Sequence, residues 1–258
     1  MSASLPQEMQ SHTYSIMYEI EETHWWYAGR RLILKSFIEK AVRHLNTKES
    51  LQILDVGCGT GANLEMLDQF GETRGVDVSD EALAFCRKRG LTNVEKGLAE
   101  DLPFEDESFD LVTAFDVVEH LDNDLAGLKE MQRVLRGTGK ALLFVPAFMF
   151  LWGVQDDVSN HRRRYTKNEL CARLVQAGFE IERITYANLT FFFPILTGRL
   201  LMKLTGFRPA SENNLTVGAL NDPLGKLFGL ERLFLHYMNF PFGVSLICVA
   251  KKSVPPAG

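Results

Sequence analysis

Hydrophobic positions along the chain follow two alternating patterns. Short runs rich in Val, Ile and Leu are separated by longer stretches with apolar residues at helical spacing. Residues 52–56 (QILDV) predict a buried strand running into a glycine-rich turn, and residues 61–70 predict a helix. A second strand is expected over 73–79 (TRGVDVS), where Ser79 can cap the next helix and Gly90 can end it. NVEKGLA at 93–99, FDLVTAFDV at 109–117 and GKALLFVPA at 139–147 predict strands three to five. A helix from about 122 to 135 separates the last two. Thr166 and Glu169 form a capping box for a helix that stops before Gly178. Strands six and seven are expected over 179–187 and 244–252, and a long N-terminal helix from about 29 to 45.

Strands alternating with helices imply an α/β fold, a doubly wound, mostly parallel seven-stranded sheet with the last strand antiparallel. The strands read as continuous apolar runs, as expected when helices cover both faces. Ligands of such sheets bind at the carboxyl ends of the strands, near the point where strand order reverses. This divides the chain into an N-terminal helical cap (1–50), an α/β core (51–189), a helical insertion (190–242), and a last strand and tail (243–258). The insertion holds two amphipathic stretches. Leu196, Leu200, Leu204 and Phe207 share one face, with Arg199 and Lys203 elsewhere; Leu227, Leu230, Phe234 and Met238 share another. These faces are expected to pack on the sheet or on a twin subunit.

The chain has 258 residues, 46% hydrophobic and 24% charged, which excludes a disordered, collagen-like or coiled-coil protein. A net charge of −5 argues against nucleic acid as a partner. Cys58, Cys86, Cys171 and Cys248 are scattered and read as reduced thiols. The first fifteen residues are polar and lack the apolar core of a signal peptide. The most apolar run, 189–198, contains Pro194 and is closed by Arg199, too short for the ~20 residues of a spanning helix. A cytoplasmic location is expected. Residues 190–242 stay open as a surface for peripheral membrane contact or for a second copy in a homodimer.

The turn after strand one reads Asp55-Val56-Gly57-Cys58-Gly59-Thr60-Gly61. Its glycines allow tight turning and close approach of a ligand. The third glycine falls at the fifth position, not the sixth of the dinucleotide fingerprint. Asp55 at the strand end would repel a pyrophosphate and welcome a cation. Acid plus glycine loop suits S-adenosylmethionine, with its amino-acid end and sulfonium. Asp77, ending strand two beside Val78, is placed to accept both ribose hydroxyls.

The run ILDVGCGTG, then GVDVS, then LAEDLPFEDESFDLVTAFDVVEHL, then MQRVLRGTGKALLFVP resembles the class I S-adenosylmethionine-dependent methyltransferases, most closely the small-molecule (type 11-like) group. The resemblance covers about residues 50–150. It implies that Gly57, Cys58, Gly59 and Gly61 wrap the methionine part and that Asp77 holds the ribose. Ala99 and Glu100 would meet the adenine, and Phe115 and Asp116 would border both methionine and acceptor. One departure stands out: the family's usual acid before the alanine is Leu98 here, which cannot accept from the adenine amino group.

Methyl transfer is an in-line displacement, so the protein chiefly aligns the reactants and removes a proton from an oxygen nucleophile. His120 and His161 are the candidate bases. Asp116, Glu119 and His120 resemble the acid-xx-Glu-His pattern of ubiquinone-biosynthesis O-methyltransferases, which bind a divalent metal there. The pattern is also common in relatives without one, and no metal is expected. His24-Trp25-Trp26-Tyr27 and Arg30 suggest a lid, Trp25 packing and Trp26 contacting ligand, with Arg30 gripping the cofactor carboxylate. The run Arg162-Arg163-Arg164 reads either as an anion site for the acceptor or as a solvated turn paired with Asp156 or Asp157. Together these features lead to methyl transfer onto a small, hydrophobic or lipid-like acceptor, at oxygen before nitrogen or carbon. A catalytically silent cofactor-binding protein and a nicotinamide-dependent oxidoreductase are the alternatives.

Overall fold

The structure, a computed structural model, describes residues 11–43, 45, 50–207 and 218–253. Seven strands build one sheet: β1 (Leu51–Val56), β2 (Gly71–Asp77), β3 (Val94–Lys96), β4 (Phe109–Phe115), β5 (Leu135–Pro146), β6 (Phe179–Ala187) and β7 (Ser245–Lys252). Their order is β3-β2-β1-β4-β5-β7-β6. The first five are parallel, and β7 runs antiparallel to both β5 and β6. Chain order reverses between β1 and β4. Their C-terminal ends therefore part there and open a crevice.

Among the described residues, ten helices surround the sheet. They are α1 (Ser11–Ile20), α2 (Trp25–Val42), α3 (Ala62–Leu67), α4 (Asp80–Lys88), α5 (Asp124–Val134), α6 (Val154–Val158), α7 (Lys167–Gln176), α8 (Phe192–Thr205), α9 (Asn221–Gly229) and α10 (Glu231–Leu235). Local chemistry sets several boundaries. Ser79 accepts from Ala82 N, acids Asp80 and Glu81 occupy the first turn of α4, and Arg87 and Lys88 the last, which complements the helix dipole. The Thr166–Glu169 capping box opens α7. α2 starts at Trp25, four residues earlier than the sequence predicts, because His24 Nδ1 accepts from Trp26 N at 3.3 Å. β5 also starts early: Leu135 pairs with Phe109, and the extra residues of β5 before Lys140 shift the register between Phe109 and Leu111.

The core lies between sheet and helices. β4 is buried along its whole length, and Ile53, Leu54, Leu111, Leu142, Phe144 and Ile247 are sealed from solvent. The N-terminal helices and the insertion close the crevice at the top of the sheet. α2 and α9 pack through glycines: a Cβ on Gly29 would meet Phe228 Cδ1 at 2.6 Å, and one on Gly229 would meet Leu32 Cδ1 at 2.5 Å.

The amphipathic faces of the insertion do not pack on the sheet. Its apolar faces point to solvent: Leu200, Leu204, Phe207, Leu227, Leu230, Phe234 and Met238 are all exposed, Leu204 at 82%. Arg199 instead is buried, at 7%, facing Asp156. α8 is apolar around most of its circumference, so the buried stripe is chosen by an ionic partner on another segment rather than by hydrophobicity. No helix among the described residues is long and apolar enough to cross a membrane.

Candidate active site

A cavity of about 610 Å³ fills the crevice above β1 and β4. One wall is the loop after β1. Gly57, Gly59 and Gly61 all have positive φ, at 68°, 54° and 92°. The amides of Gly57 and Cys58 both donate to Val76 O, which pins the loop to β2. A Cβ on Gly57 would strike Val117 Cγ2 at 2.4 Å, whereas one on Gly59 would stand in open space at the cavity wall. The Gly59 backbone thus presents a surface that a side chain would obstruct and a ligand can occupy, so the loop fits a closely held cofactor.

Asp77 lines the same wall. Its two carboxylate oxygens accept from Gly59 N and Ser79 N, each at 2.9 Å, so the carboxylate is fixed in place at the end of β2. Val78, Ala99, Glu100, Phe115 and Cys58 line the cavity as well. Gly61 and Asp55 do not. Asp55 lies beneath the loop, 1% exposed, with Oδ1 accepting from Thr113 Oγ1 at 2.6 Å and Oδ2 unpartnered among the described residues. Burial pushes its carboxyl up to about 7, against the pull of the Thr113 hydrogen bond and the Arg30 charge. Leu98 faces the cavity where an acid is usual, and burial also raises the carboxyl of its neighbour Glu100.

Arg30 reaches into the cavity from α2. Its guanidinium pairs with Asp116 and lies over the rings of Trp26 and Tyr27, at 4.7 and 5.6 Å. Asp116 has a left-handed φ of 57°, which turns its carboxylate toward the cavity just past β4. Both Trp25 and Trp26 line the cavity; Trp25 also packs on Phe191 with ring centroids 4.7 Å apart.

The opposite wall gathers the remaining candidates. Glu119 and His120 sit on a short 3-10 turn after β4. His161, from the loop after α6, places its ring 4.6 Å from that of His120. His161 Nδ1 is 2.8 Å from Asp156 Oδ1. Asp156 is also gripped in bidentate fashion by Arg164, at 2.7 and 3.0 Å. Burial alone would raise Asp156, but the His161 hydrogen bond and the Arg164 guanidinium outweigh it and hold the carboxyl well below its usual range. Enclosure, and then the neighbouring His161 and Arg162, lower His120 to about 3, so its ring is neutral. Burial and the nearby Asp116 push Glu119 well above the ordinary carboxylate range.

The arginine run is engaged in ion pairs, with Arg164 on Asp156 as the second reading has it, although Arg164 is buried rather than solvated. Arg162 pairs with Asp122, Arg163 with Asp124, and buried Arg164 with Asp156. These arginines brace the wall that carries His161.

Sequence reasoning missed a clasp over the glycine loop. Glu21, at the end of α1, accepts from the Thr60 hydroxyl and from Arg89 Nη2 at 2.8 Å, while Arg89 Nε donates to Thr60 O at 2.9 Å. Glu21 and Tyr14 line the cavity, so α1 covers the cofactor wall. The only local signal for this was the glutamate pair preceding the aromatic cluster.

Residues 54–143 match the family model described as "Methyltransferase domain". A "Probable S-adenosylmethionine-dependent methyltransferase" of Mycobacterium tuberculosis is 33% identical over 132 residues, which is 49% of this chain and 48% of that protein. Residues 54–143 thus form a methyltransferase domain. A demethylmenaquinone methyltransferase of Bacillus velezensis is 35% identical over 118 residues, 42% of this chain and 51% of the relative. The chain thus matches about half the length of these relatives. Across the fold, a chain of the complex between the Haloferax volcanii Trm112 methyltransferase activator and its candidate methyltransferase superposes with a TM-score of 0.62. It is 19% identical and covers 99% of this chain and 100% of that one. The matched residues run from within β1 to within β5 and include the glycine loop, whereas the walls from α1, α2 and the insertion lie outside them.

Proposed function

We propose that the protein transfers a methyl group from S-adenosylmethionine to an oxygen of a small, hydrophobic, lipid-like acceptor. The observation that carries this reading is one continuous cavity that joins the Gly57–Gly59 and Asp77 wall to a second, different wall. When bound, S-adenosylmethionine supplies the electrophilic methyl. Asp77 accepts the ribose hydroxyls, and the glycine loop lies along the methionine part. Asp116, with Arg30 as its counter-ion, faces the amino-acid end. Clasped by Glu21, Thr60 and Arg89, α1 excludes water above the sulfonium.

The second wall is apolar on one side, with Trp25, Phe191, Ile195, Met202 and Leu224. That composition supports a hydrophobic acceptor, in keeping with a relative named for demethylmenaquinone. The other side is the polar pole of His120 and His161, with Glu119 buried behind them. An acceptor hydroxyl aimed at the sulfonium has His161, oriented by Asp156, beside it to take up its proton as the carbon–oxygen bond forms. S-adenosylhomocysteine and the methyl ether leave.

Calorimetry with S-adenosylhomocysteine tests the first half of the reading. Micromolar binding is expected, with at least a tenfold loss in Asp77→Ala and no heat with NAD; a silent titration overturns it. Mass spectrometry after incubation with hydroxylated, prenylated aromatic acceptors tests the second half. Gain of one methyl is the expected result.

A further inference from the structure

We propose that Glu119, His120 and His161 form a binding site for a divalent transition-metal ion at the acceptor end of the cavity. Each offers one ligand atom, and the three atoms lie within 4.8 Å of one another. Ligand bonds of about 2.0–2.2 Å need these atoms somewhat closer, a closure that side-chain torsions supply. Asp116 is not part of the group, since its carboxylate is engaged by Arg30. The third ligand comes instead from a segment forty residues downstream.

The decisive feature is Glu119. It is 0% exposed, and among the described residues neither carboxylate oxygen has a hydrogen-bond partner. Its nearest basic nitrogen, His161 Nε2, is 3.9 Å away, beyond hydrogen-bond range. Buried with both oxygens orphaned, this group is a poor anion on its own, and a cation at its side is what favours its ionised form. An outer partner is also in place. Asp156 holds His161 Nδ1, leaving Nε2 turned toward Glu119. Orientation of ligand imidazoles by a carboxylate or a carbonyl is the usual second layer of a metal site. Arg164 offsets the charge of Asp156, so Glu119 supplies the negative charge an ion would neutralise.

Two imidazoles and one carboxylate suit Zn2+, Fe2+ or Co2+ better than Mg2+ or Ca2+. Three protein ligands leave coordination positions open. His120 and His161 line the cavity, so those positions face the acceptor space. Resting on the methyl-transfer reading above, the acceptor would then be one whose hydroxyl oxygen coordinates an ion and loses its proton more readily for it.

The test uses the full chain, treated with chelator and without cofactor or acceptor, so that its outcome is independent of methyl transfer. Titration with Zn2+ by calorimetry and with Co2+ by visible absorption should show one equivalent bound. Affinity should fall more than tenfold in both Glu119→Gln and His161→Asn, and by about 10–100-fold in Asp156→Asn. Circular dichroism of each variant confirms the fold. Should one variant not fold, the other decides. The proposal is overturned by no saturable uptake, or by uptake that the folded variants leave unchanged.

Discussion

At the scale of single residues, Asp55 carries the least expected chemistry. The sequence places it as an acid facing a cationic ligand, but its carboxyl lies beneath the glycine loop, held by Thr113 and pushed up to about 7 by burial. Below about pH 4 the group is protonated whether or not the chain is folded. Between about pH 4 and 7 only the unfolded chain ionises, so stability falls as pH rises through this window; above it the loss is complete. The bound is about 4 kcal/mol for a shift of this size. Asp55→Asn removes the ionisation and keeps the side-chain volume. Chemical denaturation at pH 4.5 and 8 should show the wild type losing stability relative to the variant as pH rises. An equal pH response in both proteins would refute this account.

Among elements, the strands, α4 and α7 were legible because their signals are local: apolar runs, an N-cap serine, a capping box and a terminal glycine. The glycine loop and Asp77 were legible for the same reason, both lying where β1 and β2 end. What escaped depends on distant partners. Glu21 meets Thr60 39 residues away and Arg89 68 residues away. Arg199 on α8 turns inward because Asp156, on another segment, faces it. The α2–α9 seam is likewise invisible in either helix alone. There, Gly29 is fixed by contact: a Cβ would sit 2.6 Å from Phe228 Cδ1 and 2.9 Å from Gly225 O. Gly198 on α8 meets nothing within 4 Å. Gly29→Ala should therefore lower stability by about 1–3 kcal/mol through overpacking. Gly198→Ala should raise it by up to about 1 kcal/mol through helix propensity. Thermal denaturation of the two variants reads the difference, and shifts of the same sign would contradict the seam.

For the whole molecule, the question is what meets the exposed apolar surface of α8, α9 and α10. Phe193, Leu200, Leu204, Leu230 and Phe234 all face solvent, and the same helices supply Met202 and Leu224 to the cavity wall. Residues 190–242 also reverse the charge of the chain: they hold five basic and three acidic residues in a protein of net charge −5. Arg199 is buried against Asp156, which leaves Lys203 and Arg232 as cations beside the apolar face; that face, continuous with a hydrophobic cavity, suits the surface of an anionic bilayer. A lipid-like acceptor could then pass from bilayer to cavity without crossing water. Co-sedimentation with vesicles of mixed neutral and anionic lipid should capture the protein, and 0.5 M salt should weaken capture by screening. Leu204→Asp combined with Phe234→Asp should reduce it severalfold, while leaving S-adenosylhomocysteine binding intact, since neither residue lines the cavity. If both proteins instead ignore vesicles and the wild type alone doubles its mass with concentration in sedimentation equilibrium, the surface serves a second copy of this chain.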